Sequence, residues 1–252
     1  MHKEKDCLSP SKLMNSHCPQ AIRLDGRLKS AAQLIRPGVY IADIGTDHAY
    51  LPIYLLQNDR ISGAVATDIR QGPLKTASDH IAKYRLSDRI TVFQTDGLHG
   101  VEQFKPSDIS ICGMGGESIT EILQKSPYIR SSGIHLILQP MTMPAYLRKW
   151  LSAQGFHILD ETLAQTKGKI YPVLLAEYDG EIRSYSNAEY LLGPCIIKKR
   201  KTEALKNIFP ALLTNQTNTL KKIICGKKKS GEQPCDELLL LEDLLLLQKE
   251  GN

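Results

Sequence analysis

Apolar residues along this chain follow two alternating rhythms. Short, nearly unbroken runs rich in Val, Ile and Ala stop at Gly, Asp or Pro: VYIADIG (39–45), SGAVATDI (62–69), RITVFQTDG (89–97), DISICGMGG (108–116) and IHLILQP (134–140). Between them lie segments with helical spacing. RLKSAAQLI (27–35) is closed by Pro37-Gly38, and YLPIYLLQND (50–59) tolerates Pro52 in its first turn. GPLKTASDHIAKYRL (72–86), ESITEILQKS (117–126) and PAYLRKWLSAQG (144–155) complete the set. Strands alternating with helices predict an α/β fold with a parallel sheet and right-handed crossovers. Runs that are apolar throughout predict strands buried on both faces. FHILDETLAQTKGKIYPVLLAEYD (156–179) breaks the rhythm, because two strand-like runs meet at Lys167-Gly168. That is the mark of an antiparallel hairpin at a sheet edge.

From about residue 187 the strand signal ends. EALKNIFPALLTNQTNTLKKIICGKK (203–228) places apolar residues at Leu205, Ile208, Leu212, Leu220, Ile223 and Ile224, and Pro210 is expected to kink or break this helix. GKKKSGEQP (226–234) reads as a turn, and CDELLLLEDLLLLQKE (235–250) as a final helix with acids at its positive end. The expected organisation is an α/β domain over residues 23–182 and a helical appendage over 187–252. Residues 1–22 lack the apolar core of a signal peptide and are expected to be a disordered tail.

A chain of 252 residues with 42% hydrophobic and 23% charged residues can bury a sizeable core. Its six cysteines are scattered without a C-x-x-C pair, so neither a zinc site nor a dithiol motif is indicated and no metal is expected. Unclustered thiols suit a reduced, cytoplasmic protein. The run LLLLEDLLLL (238–247) is split by Glu242 and Asp243, so no membrane span is expected. Charge matters more by its placement. Lys198, Lys199, Arg200, Lys201, Lys206, Lys221, Lys222, Lys227, Lys228 and Lys229 face Glu203 alone, a net +9 in a chain whose total is +5. The remainder therefore carries −4, and the asymmetry suggests a polyanionic partner, although a solvated helix face would look the same.

Ligands of open α/β sheets bind beyond the carboxyl ends of the strands. There the chain places Asp43-Ile44-Gly45-Thr46-Asp47-His48, Thr67-Asp68-Ile69, Thr95-Asp96-Gly97, Gly113-Met114-Gly115-Gly116 and Gln139-Pro140. Asp68 lies about twenty residues past the glycine turn, the spacing of a carboxylate that accepts from a ribose diol. Asp96 suits an adenine amino group, and Asp43 suits either the glycine turn itself or a cofactor ammonium. One such acid would be read as a helix cap; three in series read as a site. Asp47 would repel a pyrophosphate at close range, which disfavours dinucleotides and ATP. S-adenosylmethionine has no phosphate and carries a sulfonium and an ammonium, so the acids favour it. Small residues at Gly113–Gly116 admit a bulky flat acceptor, or simply form a tight turn into a helix. His48 and Tyr50 are either packed side chains or neighbours of an acceptor base. Five parallel strands closed by a hairpin is the layout of class I Rossmann-like methyltransferases; a dehydrogenase more often adds a sixth parallel strand.

DIGTDHAYLP (43–52), ATDIRQGPLKTA (66–77), DGL (96–98), GMGGESI (113–119), LQP (138–140) and LRKWL (147–151) together resemble the bacterial TrmK family. These are tRNA (adenine-N1)-methyltransferases acting on the adenine at position 22. The resemblance implies a class I Rossmann-like fold, a C-terminal helical, coiled-coil-like domain, S-adenosylmethionine as donor and tRNA as partner, with a monomer favoured. It implies that Asp43, Gly45, Asp47, Asp68, Ile69, Asp96 and Gly97 hold the cofactor. Asp47, His48, Tyr50 and Gly113–Gly116 would surround the reaction. Arg27, Gln139, Pro140 and the basic residues Lys198, Lys199, Arg200, Lys201, Lys221, Lys222, Lys227, Lys228 and Lys229 would contact the tRNA. Two departures stand out: Asp68 replaces the Glu of many relatives, and Tyr171-Pro172 replaces their Tyr-Glu, leaving any acceptor contact by that Glu vacant. Other readings stay open: a methyltransferase of another RNA nucleoside or a small amine, or an RNA-binding module without turnover.

Overall fold

The structure is a computed structural model that describes residues 21–250. The tail expected over 1–22 lies outside these residues except at its end. There Ile22 is buried in the core and its backbone N–H donates to the Gln57 Oε1 at 3.0 Å.

Seven strands form one sheet: β1 (Tyr40–Ile44), β2 (Gly63–Asp68), β3 (Ile90–Gln94), β4 (Asp108–Gly115), β5 (His135–Thr142), β6 (Phe156–Thr166) and β7 (Lys169–Tyr178). Their order is β3-β2-β1-β4-β5-β7-β6. The first five are parallel, and β7 pairs antiparallel with both β5 and β6, as the hairpin pattern predicts. The order reverses between β1 and β4, where open sheets bind ligands. Helices α1 (Gly26–Leu34), α2 (Tyr50–Gln57) and α3 (Gln71–Lys83) contribute to one large apolar cluster, and α4 (Gly116–Gln124) and α5 (Pro144–Ala153) to another. Alternate residues of β5 serve the two: Ile137 joins the first, Leu136 and Leu138 the second. β2 is buried along its whole length, as its composition predicts, but β3 is an edge strand with Thr91 and Gln94 exposed.

The C-terminal part holds four helices, not two: α6 (Asn187–Leu192), α7 (Pro194–Lys199), α8 (Phe209–Lys229) and α9 (Cys235–Lys249). Pro210 neither kinks nor breaks a helix. It sits in the first turn of α8, where its missing N–H has no intrahelical partner to lose. α8 also runs on through Lys229, which shortens the expected turn to 230–234. The two short helices are fastened to the α/β domain by a buried ion pair. Arg148 Nε on α5 donates to Glu161 Oε1 on β6 at 2.7 Å, with side chains 1% and 0% exposed. Arg148 Nη1 donates to the carbonyls of Tyr190 and Leu191, and Glu161 Oε2 accepts from the Cys195 amide. A third apolar cluster joins Leu163 of β6 to residues of all four helices.

Candidate functional site

The β1 turn is built by a buried acid and a glycine. Asp43 Oδ1 accepts from Ser110 Oγ at 2.6 Å, and burial pushes its carboxyl above the usual range. Gly45 follows at φ +72°, a conformation suited to a residue without Cβ. Thr46 pins the turn: its amide donates to the Thr67 carbonyl at 2.7 Å and its Oγ1 accepts from the Ala49 amide. Asp47 is left exposed, with Oδ2 3.1 Å from His48 Nε2. Asp68 is buried at the end of β2 and accepts from the Arg70 amide at 2.8 Å, while its neighbour Ile69 is 58% exposed. Asp96 is exposed and lies 3.7 Å from Lys125 Nζ; with Gly97 it rims a cavity of about 620 Å³ beside α4. These residues fit S-adenosylmethionine. A tight glycine turn, a carboxylate for a diol, an exposed aliphatic side chain for a flat ring and an exposed anion for a cation stand at two adjacent strand ends.

His48 and Tyr50 lean toward α3. Their rings stack at 4.9 Å, and each lies 5.4 Å from His80, a residue the sequence did not single out. His80 Nδ1 is 3.1 Å from the His48 carbonyl oxygen. The three rings form one stack in which Tyr50 stays 38% exposed.

Across the cleft, β4 shifts register at Cys112, Met114 and Gly115, and Gly113 adopts φ +86°. The glycines of this turn answer different constraints. A Cβ on Gly113 would meet only Arg27 Nη1 at 4.0 Å, so that position is open; one on Gly116 would collide with the Met143 carbonyl. Glycine at 116 is thus required by the β5–α5 connection. Arg27 is brought in by the first turn of α1, which Asp25 caps by accepting from the Leu28 amide. Arg27 Nη1 lies 2.8 Å from Met141 Sδ, and the guanidinium sits 5.7 Å from the Tyr171 ring centroid. Met141 carried no signal of its own in the sequence, and Tyr171 entered only as the neighbour of Pro172; the β5–β7 pairing brings both beside Arg27. Gln139 is fully buried; its Nε2 donates to the Pro140 carbonyl and its Oε1 has no partner among the described residues.

Folding also redistributes the basic segment. Lys199 pairs with Asp160, Arg200 with Glu250, Lys206 with Glu203 and Lys227 with Glu237. Lys198, Lys201, Lys221, Lys222, Lys228 and Lys229 are exposed, with no ion-pair partner among the described residues. The same residues contain no group of three or more His, Cys, Asp or Glu that could hold a metal, and no helix long and apolar enough to cross a membrane.

The model of the TrmK family, described as tRNA (adenine(22)-N(1))-methyltransferase, matches residues 41–238. The tRNA (adenine(22)-N(1))-methyltransferase of Bacillus subtilis (strain 168) is 36% identical over 233 residues, covering 91% of this chain and 97% of that protein. Among solved structures, Sp1610 of Streptococcus pneumoniae in complex with S-adenosyl-L-methionine superposes with a TM-score of 0.76 at 28% identity, over 88% of this chain and 100% of the other. TrmK of M. capricolum, bound to S-adenosyl-homocysteine, gives a TM-score of 0.71 at 27% identity, over 90% and 97%.

Proposed function

The chain belongs to the TrmK family of tRNA (adenine(22)-N(1))-methyltransferases, and on that footing we propose that the β1–β3 strand ends hold the methyl donor while the β4 turn receives the target adenine. The activity is S-adenosylmethionine-dependent methylation of N1 of the adenine at position 22 of tRNA. The observation that carries the division of roles is the pair of acids flanking the glycine turn, Asp43 buried before Gly45 and Asp47 exposed after it.

Bound S-adenosylmethionine supplies the methyl group in electrophilic form. Asp68 is placed to accept from a ribose diol and Ile69 to cover a purine face. Asp47 is placed to offset positive charge, and Asp43 holds the turn through Ser110. The N1 lone pair of neutral adenine needs no prior deprotonation, so the residues of this site contribute position and exclusion of water more than base catalysis. The N1 edge is engaged in a base pair within a helix, so the adenine must be extruded to reach the cleft. Gly113 leaves room for its ring, and Arg27 stands beside that space.

The free lysines of the C-terminal helices supply phosphate contacts, which give affinity without reading sequence. We read the protein as a monomer of the cytoplasm, where its tRNA substrate resides. Transfer of labelled methyl from S-adenosylmethionine to unmodified tRNA, with a tRNA substituted at position 22 as control, tests the reading. Label in the first and none in the second is expected; equal label in both would overturn it.

A further inference from the structure

A cavity of about 320 Å³ opens at the seam between the sheet and the helical part. Its size lies within the range of small-ligand sites, roughly 300–1,000 Å³. Pro140, Tyr171 and Pro172 give it flat apolar walls on the sheet side, and α8 lines the facing side with Asn215 and Gln216. Arg148 lines it as well, held fixed by its partners. Nε and Nη1 are engaged by Glu161 and by the Tyr190 and Leu191 carbonyls, while Nη2 is buried without a partner among the described residues. Nη2 is sealed off beside Gly193, so Arg148 gives the cavity a fixed positive charge, not a free donor.

The cavity adjoins the cleft described above. Met141 and Tyr171 belong to its wall and also lie against Arg27, and Pro140 directly follows Gln139. Flat apolar walls suit the two faces of an aromatic ring. Two carboxamides present both donors and acceptors to a ring edge. Lys169 at the hairpin turn adds a cation suited to a phosphate. This combination is that of a nucleobase site.

We propose that the seam cavity holds a base of the tRNA that is unstacked beside the methylated adenine. The inference rests on the function proposed above and extends it to a neighbouring nucleotide. Extruding the adenine breaks its stacking on both sides. A second aromatic slot one step away gives one neighbour a new set of contacts and holds the opened conformation. Because the slot is built partly from α8, it also explains why the helical part is docked on the sheet instead of tethered to it.

The test uses the full chain and tRNA carrying 2-aminopurine at one or the other nucleotide flanking position 22. Wild-type protein should change the emission severalfold at one flank, and Asn215→Ala/Gln216→Ala should abolish that change. The double variant should raise KM for tRNA about tenfold, the scale of one base contact, while its melting temperature and S-adenosylmethionine affinity hold. Unaltered emission at both flanks, or wild-type KM in the double variant, would overturn the proposal while leaving methyl transfer intact. Absence of methyl transfer by the wild-type protein would overturn the underlying function, and the pocket with it. Adenosine monophosphate that binds the cavity without competing with tRNA would assign it to a free nucleotide and overturn the proposal.

Discussion

Gly45 and Met114 meet across the cleft: a Cβ on Gly45 would collide with the Met114 Cε. The turn proposed for the cofactor and the turn proposed for the base are therefore in contact, and neither can change shape alone. The thioether tip is flexible and can yield, whereas the backbone of Gly45 cannot change its φ of +72° without unmaking the turn.

Gly45→Ala should accordingly cost about 1–2 kcal/mol of stability, the price of a left-handed alanine, and weaken S-adenosylmethionine binding at least about tenfold. Denaturant unfolding and calorimetry read the two effects. Adding Met114→Ala should restore neither; full rescue by it would show that the collision, and not the backbone, governs this position.

Asp68→Ala removes the carboxylate proposed for the ribose. Charge-assisted hydrogen bonds contribute about 1.5–3 kcal/mol, so calorimetry should show cofactor affinity reduced by about ten- to a hundredfold. Asp68→Glu should keep most of the affinity. Unchanged binding by the alanine variant would remove Asp68 from the cofactor site.

Asp43 gives stability a dependence on pH. Burial, opposed in part by Ser110 and Thr46, raises its pKa above the ordinary 3.8. A carboxyl with a raised folded pKa stabilises fully only below its unfolded value, and that contribution is lost as pH rises through the folded one. Asp43→Asn, which can still accept from Ser110, should thus match or exceed the wild type in stability at neutral pH. The advantage should shrink as pH falls towards 3.8. Denaturation midpoints measured across that range decide it; a constant gap would refute the coupling.

Arg148→Ala should destabilise the protein by about 3–5 kcal/mol, because it leaves Glu161 buried and unpaired. Replacing both partners with apolar residues of similar volume should cost much less. Urea midpoints of the single and double variants make the comparison.

For tRNA binding, Lys221→Ala/Lys222→Ala should lower the slope of log K against log salt by roughly 1.5, close to one counterion per lysine. Lys227→Ala should change it less, since Glu237 already holds that ammonium at 2.5 Å. Filter binding over a salt series distinguishes the two. A change of roughly 0.75 for Lys227→Ala, half that of the double variant, would mean that its ion pair does not survive in the complex.

The periodicity of the chain was enough to place the parallel strands and the hairpin, because burial on two faces leaves a dense apolar signature. It was also enough to find the acids, since strand ends and glycines mark where a ligand must lie. It could not show that His80 closes on His48 and Tyr50, because a lone histidine in a helix carries no pattern. Nor could it show that Asp160, Glu237 and Glu250 neutralise part of the basic segment, since these pairs join residues ten to fifty positions apart. Pro210 was misjudged for a simpler reason: the start of α8 has no capping side chain to announce it.

The fastening of α6 and α7 by Arg148 and Glu161 moves the natural seam of the molecule. A composition change near residue 187 suggests a border there, but a cut at that point would strip a buried guanidinium of its carbonyl acceptors. We propose the joining point instead in the irregular stretch between Lys199 and Phe209. A chimera that borrows the α8–α9 hairpin of a relative should therefore be joined in that stretch. Both short helices would then travel with the sheet as part of the catalytic body.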